Sequence, residues 1–190
     1  MNAPHPITDL TPHRLNVTEV LAFAQCGAFD GLPRMELLDG TLYEMSPQKS
    51  PHILAKNRLT FRLQIKILQL DLPYEALCEA TIVAGETSLP EPDVIICSTP
   101  IVDGFYPSAS VMLAVEVSST TLQTDLRFKK ALYAGVGIPE YWVVEVEASR
   151  IHIFWHPEGE DYQEARIIQI GEPLTSATIP GLSIDSDGLI

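Results

Sequence analysis

A single acid embedded in an eight-residue apolar run limits this fold more than any other feature of the sequence. Val111-Met112-Leu113-Ala114-Val115-Glu116-Val117-Ser118 has the β-branched composition of a strand, and Glu116 is its only charged residue. Side chains alternate along a strand, so Glu116 shares a face with Ala114 and Ser118 while Leu113, Val115 and Val117 fill the other. Burying a carboxylate there costs on the order of several kcal/mol unless a cation or donor meets it. Upstream, Pro92-Asp93 opens a second apolar run, Val94-Ile95-Ile96-Cys97, with Pro92 fixing the angle of entry. Two acids on successive strands, followed by a helix-like segment carrying Lys129 and Lys130, supply what a divalent metal and a developing phosphoryl charge require. The plainer reading makes Asp93 a turn cap, Glu116 half of an ion pair and Lys129 a solvated helix residue.

The totals narrow the setting. With 190 residues, 46% of them hydrophobic and 19% charged, one substantial core is expected, and no apolar run approaches the ~20 residues that span a bilayer. Met1-Asn2-Ala3-Pro4-His5-Pro6 has neither a basic n-region nor an apolar h-region, so a cytoplasmic protein is expected. Cys26, Cys78 and Cys97 form no CxxC pair and read as buried thiols in a reducing compartment. A net charge of −13 opposes generic nucleic-acid binding through its long-range field. The cations are clustered, however: eight of the twelve Lys and Arg lie in residues 49–66 and 127–130, so a local anion-binding face is compatible with an acidic body.

Residues 1–15 are Pro-rich and polar and read as a flexible arm, with one domain from 16 to 190. Asn16 and Glu19 have the spacing of a capping box. Met35 to Met45, with Asp39-Gly40 at its centre, predicts a hairpin. Ser50-Pro51 opens a helix to about Leu70, on which Arg58, Arg62 and Lys66 make a cationic stripe. Strands are expected at 74–83, 92–97 and 111–118, the last two separated by a loop with Pro100, Gly104 and Pro107. A helix from about Gln123 to Ala134, capped by Thr121 or Thr124, leads to strands at 140–147, 150–156 and 164–170. Trp142, Trp155 and Tyr141 read as core aromatics, and His152 and His156 as strand residues without metal partners. The order αβββαβ from residue 51 gives an α/β (α+β) fold: a mixed central sheet flanked by helices, with added hairpins.

Asp39-Gly40, then Tyr43-Glu44-Met45-Ser46-Pro47 and His52, resemble the opening of the Uma2 (DUF820) family. Pro92-Asp93, Glu116-Val117-Ser118, Asp125-Leu126 leading to Lys129 and Tyr133, and Gly137 to Trp142 continue the resemblance, and Ile179-Pro180-Gly181-Leu182 completes it. That family is similar to restriction endonucleases of the PD-(D/E)xK superfamily, which implies a restriction endonuclease-like core. By position, Asp93 and Glu116 match the motif's acids. The lysine two places after the second acid is replaced by Ser118, and Lys129 on the following helix stands in for it.

The resemblance implies a Mg²⁺- or Mn²⁺-dependent endonuclease acting on nucleic acid, DNA being the expected substrate. Asp93 and Glu116 would be the metal ligands, Lys129 the catalytic cation, and Glu44 and His52 supporting residues. Arg58, Arg62 and Lys66 would track the backbone, and a homodimer would serve two strands. Two rivals stand beside it: a non-catalytic nuclease-like domain serving as a protein-interaction module, and a hydrolase of a small phosphorylated substrate.

Overall fold

A computed structural model describes residues 10–98 and 104–190. In chain order the elements are α1 (Val17–Gln25), the hairpin β1 (Met35–Leu38) and β2 (Thr41–Glu44), and α2 (Ser50–Gln69). β3 (Glu75–Cys78), β4 (Ile82–Val83), β5 (Val94–Cys97), β6 (Tyr106–Pro107) and β7 (Val111–Ser118) follow. A helical segment comes next, made of α3 (Leu122–Thr124), a π-type stretch (Asp125–Lys129) and α4 (Lys130–Gly135). The chain ends with β8 (Glu140–Glu145), β9 (Arg150–Glu158), β10 (Asp161–Gln169), β11 (Pro173–Thr175) and β12 (Ser183–Asp185).

The most apolar runs take the middle of a six-stranded sheet ordered β10-β9-β8-β7-β5-β3. All neighbours are antiparallel except β7 and β8, and a parallel pair needs a crossover, which α3 to α4 supplies. Leu113, Val115 and Val117 face α2, meeting Leu59, Leu63 and Ile67; Ala114 and Val143 face the crossover, with Tyr133 and Tyr141. The sheet is thus covered on both faces, and the core has the αβββαβ order.

At the β1–β2 turn, Asp39 and Gly40 take φ of 47° and 76°, the left-handed pair that a two-residue hairpin loop requires. A Cβ on Gly40 would lie 2.7 Å from the Cβ of Arg14, so a side chain is excluded by space as well as by φ. Arg14 and the backbone N–H of Leu15 donate to the carbonyls of Asp39 and Gly40, tying the preceding segment to the turn. Of the expected arm, residues 1–9 lie outside the described residues, as does Pro100 of the 98–110 loop. The Asn16–Glu19 capping box forms with both bonds at 2.9 Å.

Several local readings need correction. The strand expected over 74–83 breaks after Cys78, where Glu79 turns to φ 53°, and β4 leaves the sheet to pair with β6. Neither Thr121 nor Thr124 caps its helix through its side chain; the Thr121 hydroxyl bonds the Asp125 carboxylate instead. Cys26 and Cys78 are exposed and only Cys97 is buried. Tyr141 and Trp142 are core residues, whereas Trp155 is half-buried. Among the described residues, no helix is long and apolar enough to cross a membrane.

Candidate active site

A cavity of about 490 Å³ opens where the start of β5, the end of β7, the first turn of α2, the hairpin and the π-type stretch converge. Asp93, Glu116, Lys129, His52 and Glu44 all line it. Asp93 is 7% exposed, Glu116 5% and Lys129 7%, so the charged groups form its floor. Glu44, at the end of β2, is exposed at the lip.

Each acid is held from two sides. Asp93 Oδ2 accepts the Val117 backbone N–H at 2.7 Å, which couples the entrance of β5 to the exit of β7. Its Oδ1 lies 2.7 Å from His52 Nε2 in the first turn of α2. Glu116 Oε1 accepts from Lys129 Nζ at 3.0 Å and from the Tyr133 hydroxyl at 2.8 Å. Lys129 also donates to Glu36 Oε1 at 3.1 Å, and that oxygen accepts the Glu91 backbone N–H at 2.7 Å. Gln48 accepts from buried Lys56 at 2.6 Å and donates to Glu79 at 3.2 Å, closing the side of the cavity next to Asp93.

The local helix geometry explains how Lys129 gets there. Asp125, Lys129 and Tyr133 are four residues apart, and such a series drifts around a regular α-helix. A π-type turn at 125–129 offsets that drift, and all three side chains are buried on the sheet side. Insertions of this kind recur at functional sites.

The electrostatics are lopsided. Burial pushes the Glu116 carboxyl well above the usual carboxylate range; Lys129 pulls it back, while Asp125, Asp93 and Glu36 push it further up. Asp125 is also raised, by burial first, against the pull of Lys129 and the Thr121 hydroxyl. For Lys129, burial opposes the charged form, but Glu116, Glu36 and Asp125 outweigh it and hold the ammonium pKa above its ordinary value. Burial and the Glu116 charge raise the Tyr133 phenol, keeping it a neutral donor. Three carboxylates, Glu116, Glu36 and Asp125, therefore share one ammonium, and Asp93 adds its charge beside Glu116 in a largely buried floor.

This donor set suits a hard divalent cation. Asp93 and Glu116 offer carboxylate oxygens, and the surplus negative charge is what such an ion would relieve. Among the described residues, no three His, Cys, Asp or Glu side chains converge as a metal cage.

A family model named Uma2 and described as "Putative restriction endonuclease" matches residues 19–187. The chain belongs to the Uma2 family. Its fold is similar to the crystal structure of a protein titled a putative nuclease belonging to DUF820 from Anabaena variabilis ATCC 29413. The TM-score is 0.62 at 13% identity, over 88% of this chain and 90% of that one. No curated protein matches.

In this Uma2 chain the cationic stripe lies elsewhere. Arg58 donates to the Gly188 carbonyl at 3.0 Å and Arg62 to those of Asp185 and Asp187 at 2.7 Å, so both bind the C-terminal tail. Neither they nor Lys66, half-buried in the last turn of α2, line the cavity. Glu36 is a site residue that sequence reasoning passed over. Its signal was the same as that of Glu116, an acid inside an apolar run, Met35-Glu36-Leu37-Leu38. Asp125 and Tyr133 carried the family resemblance, but no role followed from their spacing alone.

Proposed function

We propose that this Uma2 protein is a Mg²⁺- or Mn²⁺-dependent endonuclease that hydrolyses phosphodiester bonds of nucleic acid, DNA foremost, and works as a two-fold pair. The observation that carries the reading is the buried Glu116–Lys129 contact at 3.0 Å, on the floor of the cavity that Asp93 also lines. Asp93 and Glu116 would hold the ion. When bound, it supplies a water of lowered pKa and polarises the scissile phosphate. Lys129 stays protonated and offsets the charge that develops on the phosphoryl oxygens. Tyr133 and Glu36 fix the carboxylate and ammonium in one arrangement, and His52 orients Asp93. Glu44 adds a carboxylate at the lip.

One observation favours a second reading, a nuclease-like domain kept for protein interaction: both oxygens of Asp93 already have partners within the chain. Cleavage decides between them. Purified protein is expected to cut plasmid or single-stranded DNA with Mg²⁺ or Mn²⁺ and to stop in EDTA. Glu116→Ala and Lys129→Ala should each lose about 10²–10³-fold in rate. Absence of cleavage with either ion would overturn the enzyme reading, and undiminished cleavage by Asp93→Ala would overturn the metal role given to Asp93.

A further inference from the structure

Two aromatic rings on this cavity have no part in the core. Tyr43 is 53% exposed and Phe128 38% exposed, yet both line the cavity whose floor holds Asp93, Glu116 and Lys129. Their placement follows from the hairpin register. Tyr43 is the cross-strand partner of Glu36, so the two side chains leave the same face of the hairpin. Glu36 in turn receives Lys129 Nζ at 3.1 Å, and Phe128 is the chain neighbour of Lys129. One ring therefore comes from the hairpin wall and the other from the π-type stretch, both anchored to the contact that fixes the catalytic cation. Burying either ring would add apolar area to the core, whereas exposure beside a buried charge cluster leaves a π-face open. Ser46, Ser119, Thr120 and Thr124 also line the cavity.

We infer that Tyr43 and Phe128 form a stacking platform for an unpaired nucleotide, making the preferred substrate a single strand or a locally melted one. This rests on the nuclease reading above and names its substrate class. A base inside a duplex has both faces covered by its neighbours and offers nothing for a side-chain ring to stack on. To reach acids that are 5–7% exposed, a paired nucleotide must first leave its stack, at a cost of a few kcal/mol that an unpaired one avoids. Ring stacking tolerates any sequence, because every base has a π-face. It also works beside acidic groups, where an array of phosphate-binding cations would be neutralised.

The test uses the full chain and an oligonucleotide carrying 2-aminopurine, whose fluorescence falls on stacking, as a single strand and as a duplex, in Mg²⁺ with the uncut Glu116→Gln background. Single strand is expected to bind about ten-fold tighter than duplex, with quenching. Tyr43→Ala and Phe128→Ala should each weaken it about ten-fold and relieve the quenching, whereas Tyr43→Phe and Phe128→Tyr should behave as the parent. Both positions are exposed, so the alanine variants should fold, which circular dichroism checks. Equal binding of the two forms, or alanine variants that bind as the parent, overturns the platform while metal-dependent cleavage by the wild type leaves the nuclease reading standing. No binding and no cleavage of any nucleic acid overturns both.

Discussion

Lys129→Met is expected to lower the stability of the protein by about 3–5 kcal/mol and to abolish measurable cleavage. Methionine fills much the same volume, so the loss does not come from a cavity. It comes from charge: Glu116 and Glu36 both accept from Nζ, at 3.0 and 3.1 Å, and Asp125 lies within the same field. Removing one member of a buried pair leaves its partner uncompensated, and here one substitution strands three acids. Urea unfolding measures the effect directly. It carries a signature that loss of packing lacks: the orphaned Glu116 and Asp125 carboxyls, both already raised by burial, recover by taking up protons, so the variant should regain stability as the pH is lowered from 8 towards 5. A variant with wild-type stability at pH 8 would mean that Lys129 is not the cation neutralising this floor.

Glu116→Gln is expected to do the opposite to stability while still removing activity. The amide keeps an acceptor for Lys129 and for the Tyr133 hydroxyl, and it removes one of four crowded negative charges. The sign follows from linkage. The folded pKa of Glu116 is raised above its unfolded value, so its contribution to stability is fully present below about pH 4.5 and is lost as the pH rises through the folded value. At pH 8 the ionised group is a liability, and the glutamine variant should be more stable than the wild type. At pH 4.5 the difference should vanish. Cleavage should fall by about 10³-fold, since a neutral amide is a poor partner for a hard cation. Stability bought at the expense of the site is the pattern expected where function has imposed a strained electrostatic arrangement. Thermal midpoints of the two proteins across pH 4.5–8 would expose a wrong sign at once.

The fold was readable where local and global signals agreed. Asp39-Gly40 fixed the hairpin because few dipeptides accept two successive left-handed residues, and the unbroken apolar runs at 94–97 and 111–118 marked central strands. Glu116 was conspicuous for the same reason, since an isolated charge in such a run needs an explanation. Other parts depend on tertiary contacts that the sequence does not encode locally. The π-type turn at 125–129 has no composition of its own and exists because Asp125, Lys129 and Tyr133 all bury against the sheet. Arg58 and Arg62 have the spacing of a solvent-facing stripe, but the carbonyls that claim them belong to residues more than a hundred positions away. Glu36 sits in an apolar run as Glu116 does, but its run is one short hairpin strand, where alternation makes an acid look like an ordinary outward residue. It is the buried ammonium of Lys129 that turns it inward.

The claim on which the account rests is that Asp93 and Glu116 together bind one catalytic cation. Calorimetric titration of Mn²⁺ into wild type and Asp93→Ala, run near pH 6.5 in two buffers of different ionisation enthalpy, tests it without reference to any substrate. One ion per wild-type chain, bound with release of protons from the raised Glu116 carboxyl, and no binding by Asp93→Ala is the predicted result. Wild-type protein that takes up no Mn²⁺, or a variant that binds it as well as the parent, would contradict the account.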